Sequence, residues 1–110
     1  KSTKPIAVIG PLGNSKADMN GPWSLTANAE DTVSVFEGIR AKFPGSQVQY
    51  AEGVQIAKEF PSSFDDFLGP KLKKPWTPQE ADRQWNDALK LARNADVVIM
   101  ALGELSLHGF

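Results

Sequence analysis

The chain has 110 residues, 41% of them hydrophobic, with 12 lysines and arginines against 13 aspartates and glutamates. That length holds one domain with an ordinary core, in which folding buries roughly 60 to 70 per cent of the surface exposed by the unfolded chain. The balanced charge gives no electrostatic grip on nucleic acid or an anionic membrane, no apolar run approaches the ~20 residues that span a bilayer, and the absence of cysteine removes disulfides, thiolate nucleophiles and cysteine-held zinc.

Ile6-Ala7-Val8-Ile9 is an uninterrupted apolar run punctuated by Gly10 and Pro11, the pattern of a strand covered on both faces. It opens the stretch IAVIGPLGNSK, whose glycine-rich turn either cradles a phosphate or lets the chain leave a sheet. Residues 13–30 are rich in Gly, Asn, Ser and Asp, show no period and read as loop. Asp31 or Thr32 then caps a helix with Val33, Phe36, Ile39 and Phe43 on one face, stopped by Pro44-Gly45. Val48 and Tyr50 alternate with glutamines in a second strand near the sheet edge, ending by Gly53. Residues 54–76 lose any period and contain Pro61, Pro70 and Pro75, so they read as a functional loop or a peripheral excursion with a helical turn around Ser63 to Leu68.

Order returns at Thr77-Pro78-Gln79-Glu80, where a threonine cap, proline at the first helical position and glutamate three residues after the cap all favour a helix start. Ala81, Trp85, Ala88, Leu89 and Ala92 form its apolar face as far as about Asn94, with Trp85 expected in the core. Val97 to Leu102, six consecutive apolar residues, reads as a central parallel strand closed by Gly103-Glu104. The alternation strand, helix, strand, helix, strand predicts a parallel α/β sheet with flanking helices and right-handed crossovers, a flavodoxin-like layered sandwich. In such sheets ligands collect beyond the carboxyl ends of the strands. Segments 10–16 and 103–110 both emerge there and are expected to line one site.

The opening turn lacks the spacing of a P-loop, because Gly10, Gly13, Ser15 and Lys16 are too close and out of order, and it lacks the third glycine of a dinucleotide fingerprint. A tight exit from the sheet is the better reading. His108 is the only histidine, so no histidine cluster and no Ser-His-Asp triad can be assembled; by itself it reads as a solvated or packing residue. Trp23, beside Asp18, Asn20 and Gly21, either stacks on a sugar or flat ligand or caps the core. Asp65 and Asp66 are adjacent and point apart, as in a solvated loop. Glu104 leaves a buried strand at the ligand edge, where it either accepts hydrogen bonds from hydroxyl groups, works as an acid, or caps a loop amide.

Taken in order, PIAVIGPLGNSKADMNGPWS, TVSVFEGIRAKFP, VQYAEG and ADVVIMALGE resemble the opening part of the second, C-terminal α/β sandwich domain of glycoside hydrolase family 3 enzymes, the β-glucosidases and their periplasmic relatives. The resemblance covers nearly the whole chain. It rests most on the Ile-Gly-Pro turn followed by Asp18-Met19 and by Gly21 to Ser24, and on the strand ending in Gly103-Glu104. It implies a retaining hydrolase of terminal β-D-glucosyl residues that needs no cofactor and no metal. A barrel domain, absent from these 110 residues, supplies the nucleophile, and the present domain covers the sugar.

In that family the acid glutamate lies several residues beyond the Gly-Glu pair, so the resemblance places Asp18, Trp23, Glu104 and His108 on the substrate side and makes none of them catalytic. It also implies a β-glucoside or oligosaccharide substrate, a periplasmic or extracellular parent, and an isolated chain that is an incomplete domain without activity. Three parallel strands leave one flank of the central strand open, so the chain alone is expected to self-associate or rearrange its tail. The reading from another class is a standalone flavodoxin-like module for a nucleotide or phosphorylated ligand.

Overall fold

The computed structural model describes residues 5–20, 28–56 and 75–103. Three four-residue strands, β1 (Ile6–Ile9), β2 (Val48–Ala51) and β3 (Val97–Met100), form one sheet in the order β2-β1-β3, every pairing parallel. The crossovers carry helix α1 (Val35–Lys42) between β1 and β2 and helix α2 (Pro78–Arg93) between β2 and β3. This is the expected α/β architecture.

The register, with Val8 opposite Tyr50 and Ile99 and with Ile9 opposite Ala51 and Met100, sorts side chains onto two faces because strand residues alternate. Ala7 and Ile9 join Ala88 of α2 in a core cluster flanked by Ala51, Leu91 and Ala92. On the other face Val8 is fully buried and lies close to Gly13 and Tyr50. All four residues of β1 are buried, so the first strand holds the centre of the sheet.

Among the described residues β1, and not the expected Val97–Leu102, is the central strand: β3 ends at Met100, pairs there only with β1, and leaves Val97, Val98 and Met100 exposed. A run of apolar residues marks a strand meant to be covered and does not tell which position in the sheet it takes. The cap of α1 is Ser34, because Asp31 closes a 3₁₀ turn over Ala29–Asp31 and only Ser34 stands three residues before Glu37, whose amide its hydroxyl accepts at 3.1 Å. Val33 and Phe43 therefore lie outside α1, and both are exposed. Trp85 is 53% exposed, since α2 packs over β1 and β2 while its Trp85 edge overhangs the open flank beside β3.

The second helix starts as the sequence indicates. Thr77 Oγ1 accepts the Glu80 amide at 3.2 Å, Pro78 occupies the first turn and Asn94 forms the C-cap. Among the described residues β2 is an edge strand, as its alternating pattern implies. The helical turn expected around Ser63 to Leu68, and Asp65 and Asp66, lie outside the described residues. No helix among the described residues is long and apolar enough to cross a membrane.

Candidate functional site

Parallel pairing brings the three strand ends to one rim, where each chain segment leaves through a glycine of positive φ: Gly10, Gly53 and Gly103. The β1 exit is held from both sides. Gly10 donates its amide to Ala51 O at 3.1 Å, and Ile9 O accepts from Ala101 N–H at 2.8 Å. Gly10 stands at φ +127°, and a Cβ there would run into the Ala101 carbonyl oxygen and lie 3.0 Å from its carbon. The glycine is therefore required twice, by its dihedral and by the close approach of β3.

The turn after β1 folds back onto α1. Gly10 O accepts both the Gly13 amide at 3.1 Å and the Tyr50 hydroxyl at 2.8 Å. Gly13 O accepts the Phe36 amide at 2.8 Å, and Ser34 Oγ donates to Asn14 Oδ1 at 2.9 Å while accepting the Glu37 amide. Two donors of the first turn of α1, which a phosphate would need, are thus already taken inside the protein. At α2, Pro78 has no N–H, Thr77 holds the Glu80 amide, and the Glu80 carboxylate would repel an anion. The glycine-rich turn is an exit and a helix cap. This geometry works against the phosphate-binding alternative.

What the rim offers a ligand is hydrogen-bonding groups. Ser15 Oγ donates to Asp18 Oδ2 at 2.5 Å and accepts the Asp18 amide at 3.4 Å, which fixes Asp18 at the start of a 3₁₀ turn, Ala17–Met19. Lys16 Nζ lies 3.6 Å from Glu37 Oε1, both side chains partly exposed. Paired carboxylates, hydroxyls and an ammonium of this kind suit the hydroxyl groups of a sugar. Among the described residues two groups have displaced pKa values, and both move away from neutrality. Tyr50 is pushed up to about 12, first by burial and then by the Glu52 carboxylate, against a smaller opposite pull from the Asn14 backbone. Glu80 is held below its usual range by hydrogen bonds from Arg83 and Gln84. Neither is poised to exchange protons near pH 7.

Residues 1–109 match the glycosyl hydrolase family 3 C-terminal domain. The chain belongs to that family. A periplasmic beta-glucosidase of Salmonella typhimurium is 33% identical over 106 residues, covering 94% of this chain and 14% of the relative. The chain therefore spans about one-seventh of the length of that curated relative. The family 3 resemblance read from the ordered motifs is correct, and with it the α/β sandwich class.

Of the four residues expected at the substrate, the structure describes Asp18, bonded to Ser15 in the segment that follows the β1 exit. Trp23, Glu104 and His108 lie outside the described residues, as do residues 57–74. On either side of that segment, Trp76 N–H donates to Gln55 Oε1 at 2.8 Å. Residue-level reading overlooked Asn14, Ser34 and Tyr50, which hold the turn. A signal for Ser34 was present in Ser-Val-Phe-Glu, a capping-box spacing just before an apolar helix face. Tyr50 carried no such signal, because its reach to Gly10 depends on the register of two strands forty residues apart.

Proposed function

We propose that this chain is part of the second, sugar-covering domain of a retaining β-glucosidase that releases terminal β-D-glucosyl residues, and that it has no hydrolytic activity alone. The observation that carries this reading is the shared rim, where three strand exits converge and the glycine turn spends its hydrogen bonds on α1 and Tyr50 instead of on an anion. Retaining hydrolysis needs two carboxylates roughly 5 to 5.5 Å apart, one attacking the anomeric carbon and one protonating the departing oxygen. In this reading a barrel domain of the parent supplies the nucleophile. The present domain supplies a polar wall: Asp18 and Glu104 accept hydrogen bonds from sugar hydroxyls, Trp23 stacks on a ring face and His108 adds a donor. Family membership and a relative named as a periplasmic beta-glucosidase support a periplasmic or extracellular parent.

The test of inactivity is an assay of the purified chain on aryl β-glucosides. No release of the aryl alcohol above the buffer rate is expected. Turnover that survives purification controls and disappears in Glu104→Gln would overturn the assignment.

A further inference from the structure

Among the described residues, the segment that carries Asp18 is fastened to the rest of the domain at points of unequal strength. Before it, Gly13 is clamped from two sides: its carbonyl accepts the Phe36 amide at 2.8 Å, and the Tyr50 ring stands so close that a Cβ would lie 2.7 Å from Cε1. After Gly13, Asn14 bonds to Ser34 and Lys16 pairs with Glu37. The Lys16 pair, 3.6 Å between partly exposed groups, is screened by water and holds little. The Asn14 bond is different. Ser34 is 1% exposed and its oxygen already accepts the Glu37 amide, so its hydroxyl hydrogen needs an acceptor inside the protein, and Asn14 Oδ1 provides one at 2.9 Å. Asn14 is joined directly to Ser15, whose hydroxyl donates to the Asp18 carboxylate at 2.5 Å and accepts the Asp18 amide at 3.4 Å.

We propose that Asn14 is a positioning residue for Asp18: its bond to the buried Ser34 hydroxyl fixes the start of the Ser15–Asp18 turn against the cap of α1, and thereby sets where the Asp18 carboxylate stands relative to the sugar. This rests on the reading of Asp18 as a sugar contact. A carboxylate accepts a hydroxyl only within a narrow range of distance and direction, so a turn that shifts by about an ångström loses the contact. Asn14 acts through Ser15 and does not itself touch the sugar. A contact equally strong in the ground and transition states raises KM when it is misplaced and leaves kcat nearly as it was. Asn14 is exposed, so truncating it removes hardly any packing, and the Ser34 cap on the Glu37 amide remains.

Steady-state kinetics of the parent enzyme on an aryl β-glucoside, with Asn14→Ala, Asp18→Ala and the double variant, test this. Asn14→Ala is expected to raise KM about fivefold with kcat within about twofold of wild type, and to raise it no further once Asp18 is replaced by alanine. Asn14→Asp, whose carboxylate oxygen still accepts the Ser34 hydroxyl, is expected to recover most of the loss. A residue that served stability alone would not divide KM from kcat in this way. An Asn14→Ala enzyme with the wild-type KM, or one whose effect multiplies with that of Asp18→Ala, overturns the positioning role and leaves Asp18 at the sugar. Asn14→Asp as impaired as Asn14→Ala overturns it too, since the bond to Ser34 would then not be what matters. An unchanged KM in Asp18→Ala removes Asp18 from the sugar and takes this inference with it. Should Asn14→Ala not fold, Ser34→Ala removes the same bond from its other end and decides in its place, with the same rise in KM and the same lack of any further effect beside Asp18→Ala expected.

Discussion

Gly10→Ala is the sharpest perturbation of the rim. Its φ of +127° lies in a region that costs a residue with a Cβ about 1–3 kcal/mol. The new methyl would also meet the Ala101 carbonyl, which is backbone and cannot rotate aside. Relief requires the β1 and β3 exits to separate, at the expense of the 2.8 Å bond from Ala101 N–H to Ile9 O, about 1 kcal/mol when lost. Together these put the loss near 3 kcal/mol, a large share of the 5–15 kcal/mol that typical domains possess. At about 4 °C per kcal/mol for a domain of this size, Tm should fall by about 12 °C. Thermal and urea unfolding followed by circular dichroism would read it. Gly38→Ala serves as the control, since Gly38 is helical and its Cβ would meet only Val33 Cγ1 at 3.7 Å; a gain of about 0.5–1 kcal/mol is expected. A Gly10→Ala protein within ~1 kcal/mol of wild type would refute the argument that the strand exits are locked together.

Ser34→Ala removes a buried hydroxyl that serves both Glu37 N–H and Asn14 Oδ1; it should cost about 1–2 kcal/mol in urea titration and speed amide exchange at Glu37. Because the folded state binds the Tyr50 proton more tightly than the unfolded chain, whose tyrosine titrates near 10, this contribution is complete below pH 10 and is lost as pH rises towards about 12. Tyr50→Phe should flatten that part of the stability profile relative to wild type and cost about 1 kcal/mol at neutral pH; parallel profiles would contradict the raised Tyr50 pKa, and an unchanged stability at neutral pH would contradict the hydrogen bond to Gly10. In the parent enzyme, Asp18→Ala is expected to raise KM for an aryl β-glucoside about tenfold with kcat nearly unchanged, the signature of lost uniform binding. An unaltered KM would remove Asp18 from the sugar.

Much of the fold was legible because local rules and tertiary structure agree. The cap at Thr77, Pro78 and Glu80, the fully buried β1 and the strand-helix alternation each rest on short-range chemistry that the structure keeps. What escaped was positional. Six apolar residues at 97–102 mark β3 as a strand made to be covered, yet whether it is central or at an edge depends on the order in which strands assemble. Trp85 follows the helical period of α2, but period names a face and not the neighbour that covers it. The rim is legible only in part. Its parallel exits follow from topology, whereas the closure of the glycine turn by Tyr50 and Ser34 needs the register between β1 and β2 and the seat of α1.

The central claim, that the strand exits of this chain form a face for sugar and not for anions, is tested most directly by amide chemical-shift titration of the chain with methyl β-D-glucoside and, separately, with inorganic phosphate. Shifts from the glucoside are expected to gather at residues 10–20, 52–54 and 101–103, with none from phosphate at the Gly10 turn or the start of α1. Phosphate shifts at Gly13, Asn14 and Phe36, with no glucoside response along the rim, would contradict it.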